Sequence, residues 1–164
     1  MDTLLKQLKS KKCLNIADFM DIVVPYYYQN NIAIGTEGDF ITAPEISQLF
    51  GEMIAIWIAN HCITKSIYAI NLVEMGPGRG TLMYDILHTL NSLHATKDIV
   101  KSVYLLESSK KLRKIQAEKL KDFQNINWVD DLAKIPNQDH ANISIANEFF
   151  DCLPIQQFVQ TKHG

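Results

Sequence analysis

Ile70-Asn71-Leu72-Val73-Glu74-Met75-Gly76-Pro77-Gly78-Arg79-Gly80-Thr81 is the stretch whose reading decides the fold. Its first half is a short apolar run that reads as a buried strand. Its second half places glycines at 76, 78 and 80. After Gly80, Leu82, Ile86, Leu90 and Leu93 recur at the spacing of one helix face. Strand, glycine turn and helix therefore follow one another directly. Glycine lets a backbone turn sharply and come close to a ligand because it lacks Cβ. The first turn of the following helix offers unpaired N–H groups and a partial positive charge. In an open α/β sheet, ligands sit at the carboxyl ends of the strands, which is where this turn lies.

The spacing discriminates among ligands. A dinucleotide fingerprint runs G-x-G-x-x-G. Here the pattern is G-x-G-x-G with Glu74 two positions ahead of it, the usual pattern of S-adenosylmethionine sites. That nucleoside has no phosphate but carries an ammonium group, which Glu74 can neutralise directly or through water. The absence of a G-K-[S/T] ending excludes a phosphate loop. A second buried strand over residues 103–106 is closed by Glu107, whose carboxylate can accept hydrogen bonds from both ribose hydroxyls. Glu107 would do the same for NAD, but it lies 33 residues beyond Glu74, against about 20 in the NAD fingerprint. Asp130 and Asp131 follow a third strand, Ile126–Val129, where they can meet an adenine edge or simply form a solvated turn. The expected cofactor contacts in this segment are Glu74, Gly76, Gly78, Gly80, Thr81, Glu107 and Asp130.

Outward from the loop, strands alternate with helices. Ser108 or Ser109 can cap a helix carrying Leu112, Ile115 and Leu120, and residues 143–146 read as a fourth strand. The order strand, helix, strand, helix, strand, strand implies a parallel sheet with right-handed crossovers. On the amino-terminal side, Asn15 can cap a helix that Pro25 ends near Val24, with Asp18 favourable in its first turn. Tyr26, Tyr27 and Tyr28 lead into a polar loop. Thr42-Ala43-Pro44-Glu45 has the form of a capping box, and Ile46, Leu49, Phe50, Met53 and Trp57 follow at helical spacing to about Asn60. The expected organisation is a helical extension over residues 1–66 and a partial Rossmann-like domain over residues 67–164.

Composition narrows the function classes. Of 164 residues, 47% are hydrophobic and 21% charged, with a net charge of −2, as in a soluble globular protein. With that charge no strong electrostatic pull toward nucleic acid or an anionic membrane is expected. The longest apolar stretch, residues 53–63, is interrupted by Asn60 and His61. It falls short of the roughly 20 residues that cross a bilayer. Cys13, Cys62 and Cys152 form no Cys-x-x-Cys pair, so neither zinc nor a disulfide framework is expected, and a reducing compartment is the simpler reading. Residues 1–12 are polar and lysine-rich without an apolar core, which gives neither a signal peptide nor a clear transit peptide. The expectation is a bacterial-type cytoplasmic protein.

Three stretches carry a resemblance. They are residues 38–52 (GDFITAPEISQLFGE), residues 73–83 (VEMGPGRGTLM) and residues 146–154 (ANEFFDCLP). In this order they resemble the signature of the MidA-like methyltransferases, formerly DUF185, and the likeness spans residues 19–159. The resemblance implies a class I Rossmann-like fold and S-adenosyl-L-methionine as cofactor. It also implies a protein substrate. The mitochondrial member of the family methylates an arginine of a respiratory complex I subunit during assembly. By resemblance, a loop containing Gly38, Asp39 and Thr42 lies over the cofactor. The chain departs from the family in having Tyr26, where a small residue usually precedes the tyrosine pair, and in being about half the typical length.

The fourth strand runs into Asn147-Glu148-Phe149-Phe150-Asp151. Class I methyltransferases commonly place substrate contacts there. Methyl transfer from a sulfonium is an in-line displacement, helped mainly by alignment and exclusion of water. A guanidinium acceptor is protonated at ordinary pH, and carboxylates can hold it in a bidentate fork. Asn147, Glu148 and Asp151 are the catalytic candidates. Two other readings use the same residues. Asn147-x-x-Phe150 partly matches the Asn-Pro-Pro-Tyr motif of N-methyltransferases. Alternatively, Phe149 and Phe150 are core and the two acids cap the next element. His88, His140 and the basic run 110–114 read as surface.

A complete class I sheet has seven strands in the order 3-2-1-4-5-7-6, and four are visible before residue 150. The fourth would then be an exposed edge. A second chain completing the sheet, or a non-catalytic module that binds cofactor and a partner protein, is the alternative to a self-sufficient enzyme.

Overall fold

The computed structural model describes residues 2–10, 13–30, 41–136 and 140–161. Helices α1 (Asp2–Ser10), α2 (Ile16–Asn30), α3 (Ala43–Ile46) and α4 (Gln48–Lys65) precede the sheet. Then come β1 (Ile70–Met75), α5 (Thr81–Ser92), β2 (Val100–Leu106), α6 (Lys110–Lys119), β3 (Ile126–Val129) and β4 (Ala141–Ile145). Short 3-10 turns cover Leu132–Lys134 and Phe150–Cys152.

The four strands pair in parallel in the order β3-β2-β1-β4. This matches the expected Rossmann-like arrangement and makes the sheet small. The chain steps outward from β1 to β3, then returns to the other side of β1. That reversal puts a topological switch point between β1 and β4, and a crevice opens there beyond the strand ends. Residues 76–80 and 147–151 flank it.

Alternation along the strands sorts the core into two faces. Ile70, Leu72, Val103 and Leu105 join Ile58 and Cys62 of α4 and Met83, Ile86 and Leu90 of α5 in one buried cluster. Each such aliphatic side chain contributes about 1.5–3 kcal/mol on burial. Val73, Tyr104 and Val129 form a smaller cluster with Leu106 and Ile135. Because β1 has neighbours on both sides and core on both faces, its end is the best-fixed point of the sheet. The glycine turn starts from it.

Two helix starts follow the sequence closely. Asn15 Oδ1 accepts from the Asp18 N–H at 2.8 Å, and Ser109 Oγ from the Leu112 N–H at 3.4 Å. Two other expectations are corrected. Pro25 does not end α2, which continues to Asn30. Proline removes one helical hydrogen bond, but long-range contacts of the following turn hold the helix, including a 3.0 Å hydrogen bond between the Tyr28 hydroxyl and Cys152 Sγ. The capping box at Thr42 does not form either: the Thr42 side chain caps nothing. Ser47 breaks the helix in extended geometry (φ −151°, ψ 125°) and its hydroxyl caps α4 through the Leu49 N–H. Glu45 turns instead to the Thr81 hydroxyl, which donates to it at 2.5 Å.

The apolar series Leu49, Met53 and Trp57 lies on the outer side of α4, each residue more than half exposed. The buried side is Gly51, Ala55, Ile58, Ala59 and Cys62. Small residues dominate it because α4 lies close against α5. A Cβ on Gly51 would sit 2.5 Å from Asp85 Cβ.

Candidate functional site

The crevice is built on the glycine turn. Gly76, Gly78 and Gly80 have φ of +66°, +53° and +80°, a region other residues occupy only with strain. At Gly76 space is limiting as well, since a Cβ there would meet the Phe149 ring at 2.7 Å. The Phe149 ring thus packs directly on the Gly76 backbone. Two adjoining lobes share Tyr28, Gly76, Gly78, Glu148 and Cys152 in their walls.

The larger lobe has a volume of about 340 Å³, within the range of small-molecule sites. Its apolar lining comes from Met20, Val24 and Pro25 of α2, Leu106 and Leu112, Phe149 and Leu153. Glu107 is among its polar lining residues. The Glu107 carboxylate is almost fully buried and accepts from the Ser109 N–H at 2.7 Å and the Gln116 amide at 3.3 Å. Burial raises its pKa, and the hydrogen bonds from Ser109 and Gln116 oppose that rise. Arg113 fixes the backbone beneath it, donating to the carbonyls of Glu107 (2.7 Å) and Val129 (3.2 Å). Asp130 also lines this lobe, with its carboxylate in an exposed ion pair with Lys134. Asp131 caps the 3-10 turn through the Ala133 N–H.

The smaller lobe, about 120 Å³, is lined by Thr42, Glu45, Glu74, Arg79, Thr81, Asn147, Glu148 and Asp151. Four carboxylates and one guanidinium are thus among its lining groups. Glu74 is 3% exposed, and its Oε2 has no hydrogen-bond partner among the described residues. Burial alone pushes its pKa up to about 8. An orphaned buried carboxylate beside bare glycine backbone suits a cationic ligand group, which would restore the ionised form. This is the observation by which the site fits the ammonium end of S-adenosylmethionine. Glu148, which lines both lobes, adopts φ +49° without being glycine or asparagine, a strained turn. Tyr28 lines both lobes. Burial, then the Cys152 contact, raises its pKa beyond the ordinary phenol range.

Of the candidate residues, Thr42, Glu74, Gly76, Gly78, Thr81, Asn147, Glu148 and Asp151 meet around one space, and Glu107 and Asp130 join from the adjoining lobe. Gly80 caps α5 just behind them, its backbone carbonyl accepting from the Tyr84 N–H. Gly38 and Asp39 lie outside the described residues. Phe149 is half-buried against Gly76, whereas Phe150 is exposed, so only the first of the two is packed. The described residues contain no cluster of three or more metal-ligating side chains, and none of their helices is long and apolar enough to cross a membrane.

Sequence reasoning missed the contribution of α2 because Pro25 was read as a terminator. It also missed Gln116, which is fully buried on α6. A signal existed there: Leu112, Gln116 and Leu120 share one helix face, so a polar residue stands at a core position.

Comparison with known proteins agrees with this geometry. Residues 53–164 match the family model described as "Putative S-adenosyl-L-methionine-dependent methyltransferase". The curated relative "Protein arginine methyltransferase NDUFAF7, mitochondrial" of Bos taurus is 37% identical over 188 residues, covering 98% of this chain and 42% of the relative. The Caenorhabditis elegans homologue is 35% identical over 173 residues, covering 88% and 39%. The chain thus spans about two fifths of the length of these relatives. A crystal structure of a COG1565 superfamily member from Burkholderia thailandensis, bound to S-adenosyl-homocysteine, superposes with a TM-score of 0.72. Its identity is 23%, over 93% of this chain and 42% of that one. The expectation of a bacterial-type cytoplasmic protein is corrected by these relatives, which are named as mitochondrial. With the family model matched over more than half its length, the chain belongs to the family of S-adenosyl-L-methionine-dependent methyltransferases.

Proposed function

We propose that this chain carries the cofactor-binding part of a protein arginine N-methyltransferase. In this reading residues 1–66 form a helical extension over the site and residues 67–164 the partial Rossmann-like domain. The observation that carries it is the unpartnered Glu74 oxygen beside the glycine turn, with Glu107 at the far end of the same crevice. Glu74 would meet the ammonium group and Glu107 the ribose hydroxyls. Gly76, Gly78, Gly80 and Thr81 would present backbone, and Asp130 would lie at the adenine edge. Thr42 lines the crevice, and with Gly38 and Asp39 it would form the covering loop. The cofactor supplies an electrophilic methyl group on a sulfonium.

Asn147, Glu148 and Asp151 would receive the acceptor. A guanidinium is charged at ordinary pH and matches paired carboxylates. Their part is to align one nitrogen and to accept the proton it loses. The acceptor proposed is an arginine of a protein, by analogy with the named activity of the relatives; a respiratory complex subunit is the proposed source.

The second reading is a cofactor-binding module that acts with further polypeptide. It is favoured by β4 forming the edge of the four-stranded sheet and by the exposed Phe150, Phe158 and Val159 that follow it. A second chain, or more of a longer one, would pair there. Calorimetry with S-adenosylhomocysteine, followed by methyl transfer to arginine peptides, tests both. Binding with turnover supports the enzyme, binding alone supports the module, and no binding removes the cofactor assignment.

A further inference from the structure

Gln116 is the least expected residue of the site. It is 0% exposed, yet its side chain is polar. Its amide Nε2 donates to the Gly78 carbonyl at 2.7 Å and to Glu107 Oε2 at 3.3 Å. Its Oε1 accepts from the Trp128 indole N–H at 2.8 Å. The orientation of this amide is dictated by its neighbours. An indole N–H can only donate, so it must face Oε1. A backbone carbonyl can only accept, so it must face Nε2. Both amide hydrogens are thereby used, one on the glycine turn and one on the acid after β2.

No other side chain meets these demands at this length. Glutamate would set a carboxylate against Glu107 and against the Gly78 carbonyl. Leucine would leave both acceptors and the indole donor without their partner. Gln116 also packs against the turn, a Cβ on Gly80 coming into ordinary van der Waals contact with its Cγ at 3.4 Å. The glycine turn, α6 and β3 are held to one amide.

We propose that Gln116 is a positioning residue for nucleoside binding: it ties the Gly78 carbonyl to Glu107 and so aims the Glu107 carboxylate at the ribose hydroxyls. The residue touches no ligand and acts through Glu107. This rests on the reading of Glu107 as the ribose acceptor. Gln116 supplies one fixed donor to Oε2 and Ser109 one to Oε1. The carboxylate can then turn neither toward solvent nor toward the turn, and its remaining lone pairs serve the ligand. Such fixing of a binding group by a second layer of hydrogen bonds is worth most where water is excluded.

The test compares S-adenosylhomocysteine with its 2′-deoxy analogue by calorimetry on the whole chain. The wild-type protein should prefer the ribose form by about tenfold or more, the effect of one hydrogen bond to a charged acceptor. Gln116→Leu should cut that preference to about threefold or less while binding of the deoxy analogue changes little. A merely structural role would weaken both ligands alike and leave their ratio intact. Full retention of the ratio in a folded Gln116→Leu protein overturns the proposal and leaves the cofactor site standing. Absence of any preference, or of binding, in the wild-type protein overturns the reading of Glu107 and this proposal with it. Should Gln116→Leu not fold, Gln116→Met decides. It keeps the length and removes both amide donors, so a reduced ratio supports the proposal and an unchanged one refutes it.

Discussion

The two ends of the crevice are built differently. At the β2 end, Glu107 is buried and fixed by Ser109 and Gln116, with Arg113 holding its backbone. At the β4 end, Glu148 and Asp151 are exposed, and Glu148 sits in a left-handed turn. The first end is preorganised before any ligand arrives. The second is open to solvent. A nucleoside has a fixed shape that a rigid pocket can match, whereas an acceptor side chain must enter and leave. On the proposed reading, the contrast teaches that cofactor affinity would reside in the β1–β2 side and acceptor chemistry at the exposed β4 side.

The largest expected effect breaks the better-ordered end. Gly76→Val adds a branched side chain at φ +66° and drives it into Phe149. The left-handed conformation alone costs about 1–2 kcal/mol, and the ring must move as well. S-adenosylhomocysteine affinity should fall by about 100-fold or more, equivalent to some 2.7 kcal/mol. A melting curve should show a loss of several degrees. Phe149→Ala in the same protein should recover part of the affinity, because it removes the clash and leaves only the backbone strain. If Gly76→Val binds as the wild type does, the turn does not carry the ligand.

The second prediction uses pH. Burial raises Glu74 to about 8 in the folded chain from 4.5 in the unfolded one. Between these values the folded state holds a proton that the unfolded state has released. The contribution to stability is therefore full below about pH 4.5 and is lost as pH rises through about 8, with a ceiling of about 4–5 kcal/mol. Glu74→Gln should flatten that decline in denaturant melts at pH 5, 7 and 9. On the proposed reading, an arriving ammonium would ionise the group in the wild-type protein. Binding of S-adenosylhomocysteine at pH 7 should then release about one proton, visible as a dependence of the calorimetric heat on buffer. A heat independent of buffer would separate Glu74 from the ammonium.

How much of this was legible beforehand differs between the same two ends. β1, the glycine turn and α5 were readable because strand, turn and helix signals are local and agree. Glu107 was readable because it ends an apolar run. What failed was non-local. Pro25 is a breaker in isolation, but Tyr28 meets Cys152 across 124 residues and carries α2 over the pocket. Glu45 has the spacing of a capping box, yet the Thr81 hydroxyl outcompetes the local N–H. The outward stripe of α4 has helical periodicity, but periodicity does not say which face is covered, and Gly51, Ala55 and Ala59 gave the closer approach. Whether Asp130 serves a ligand was equally invisible, since the same carboxylate pairs with Lys134.

The third prediction separates the ends directly. Glu107→Ala should weaken S-adenosylhomocysteine by about 10- to 100-fold, as expected for a buried charged acceptor of hydrogen bonds. Asp151→Asn and Glu148→Gln should leave that affinity within about twofold, since exposed groups contribute little to a neighbour's binding. Their effect should appear only in transfer to an arginine peptide, as lower kcat with the cofactor's KM unchanged. Equal losses of cofactor affinity from both ends would erase the distinction drawn between them.

The smallest effect concerns the strained turn itself. Glu148 occupies φ +49°, where a β-carbon is unfavourable by about 1–2 kcal/mol. Glycine relieves that strain but makes the unfolded chain more flexible, which offsets about 0.5–1 kcal/mol. Glu148→Gly should therefore stabilise the fold slightly, by roughly 0.5 kcal/mol, read from denaturant midpoints at unchanged slope. Glu148→Ala keeps the strain and should not stabilise. A turn that is costly in the folded chain, yet filled by a carboxylate facing the crevice, is one whose side chain matters more than its backbone. If Glu148→Gly is instead strongly destabilising, the carboxylate is holding the fold together, and its assignment to the acceptor must be abandoned.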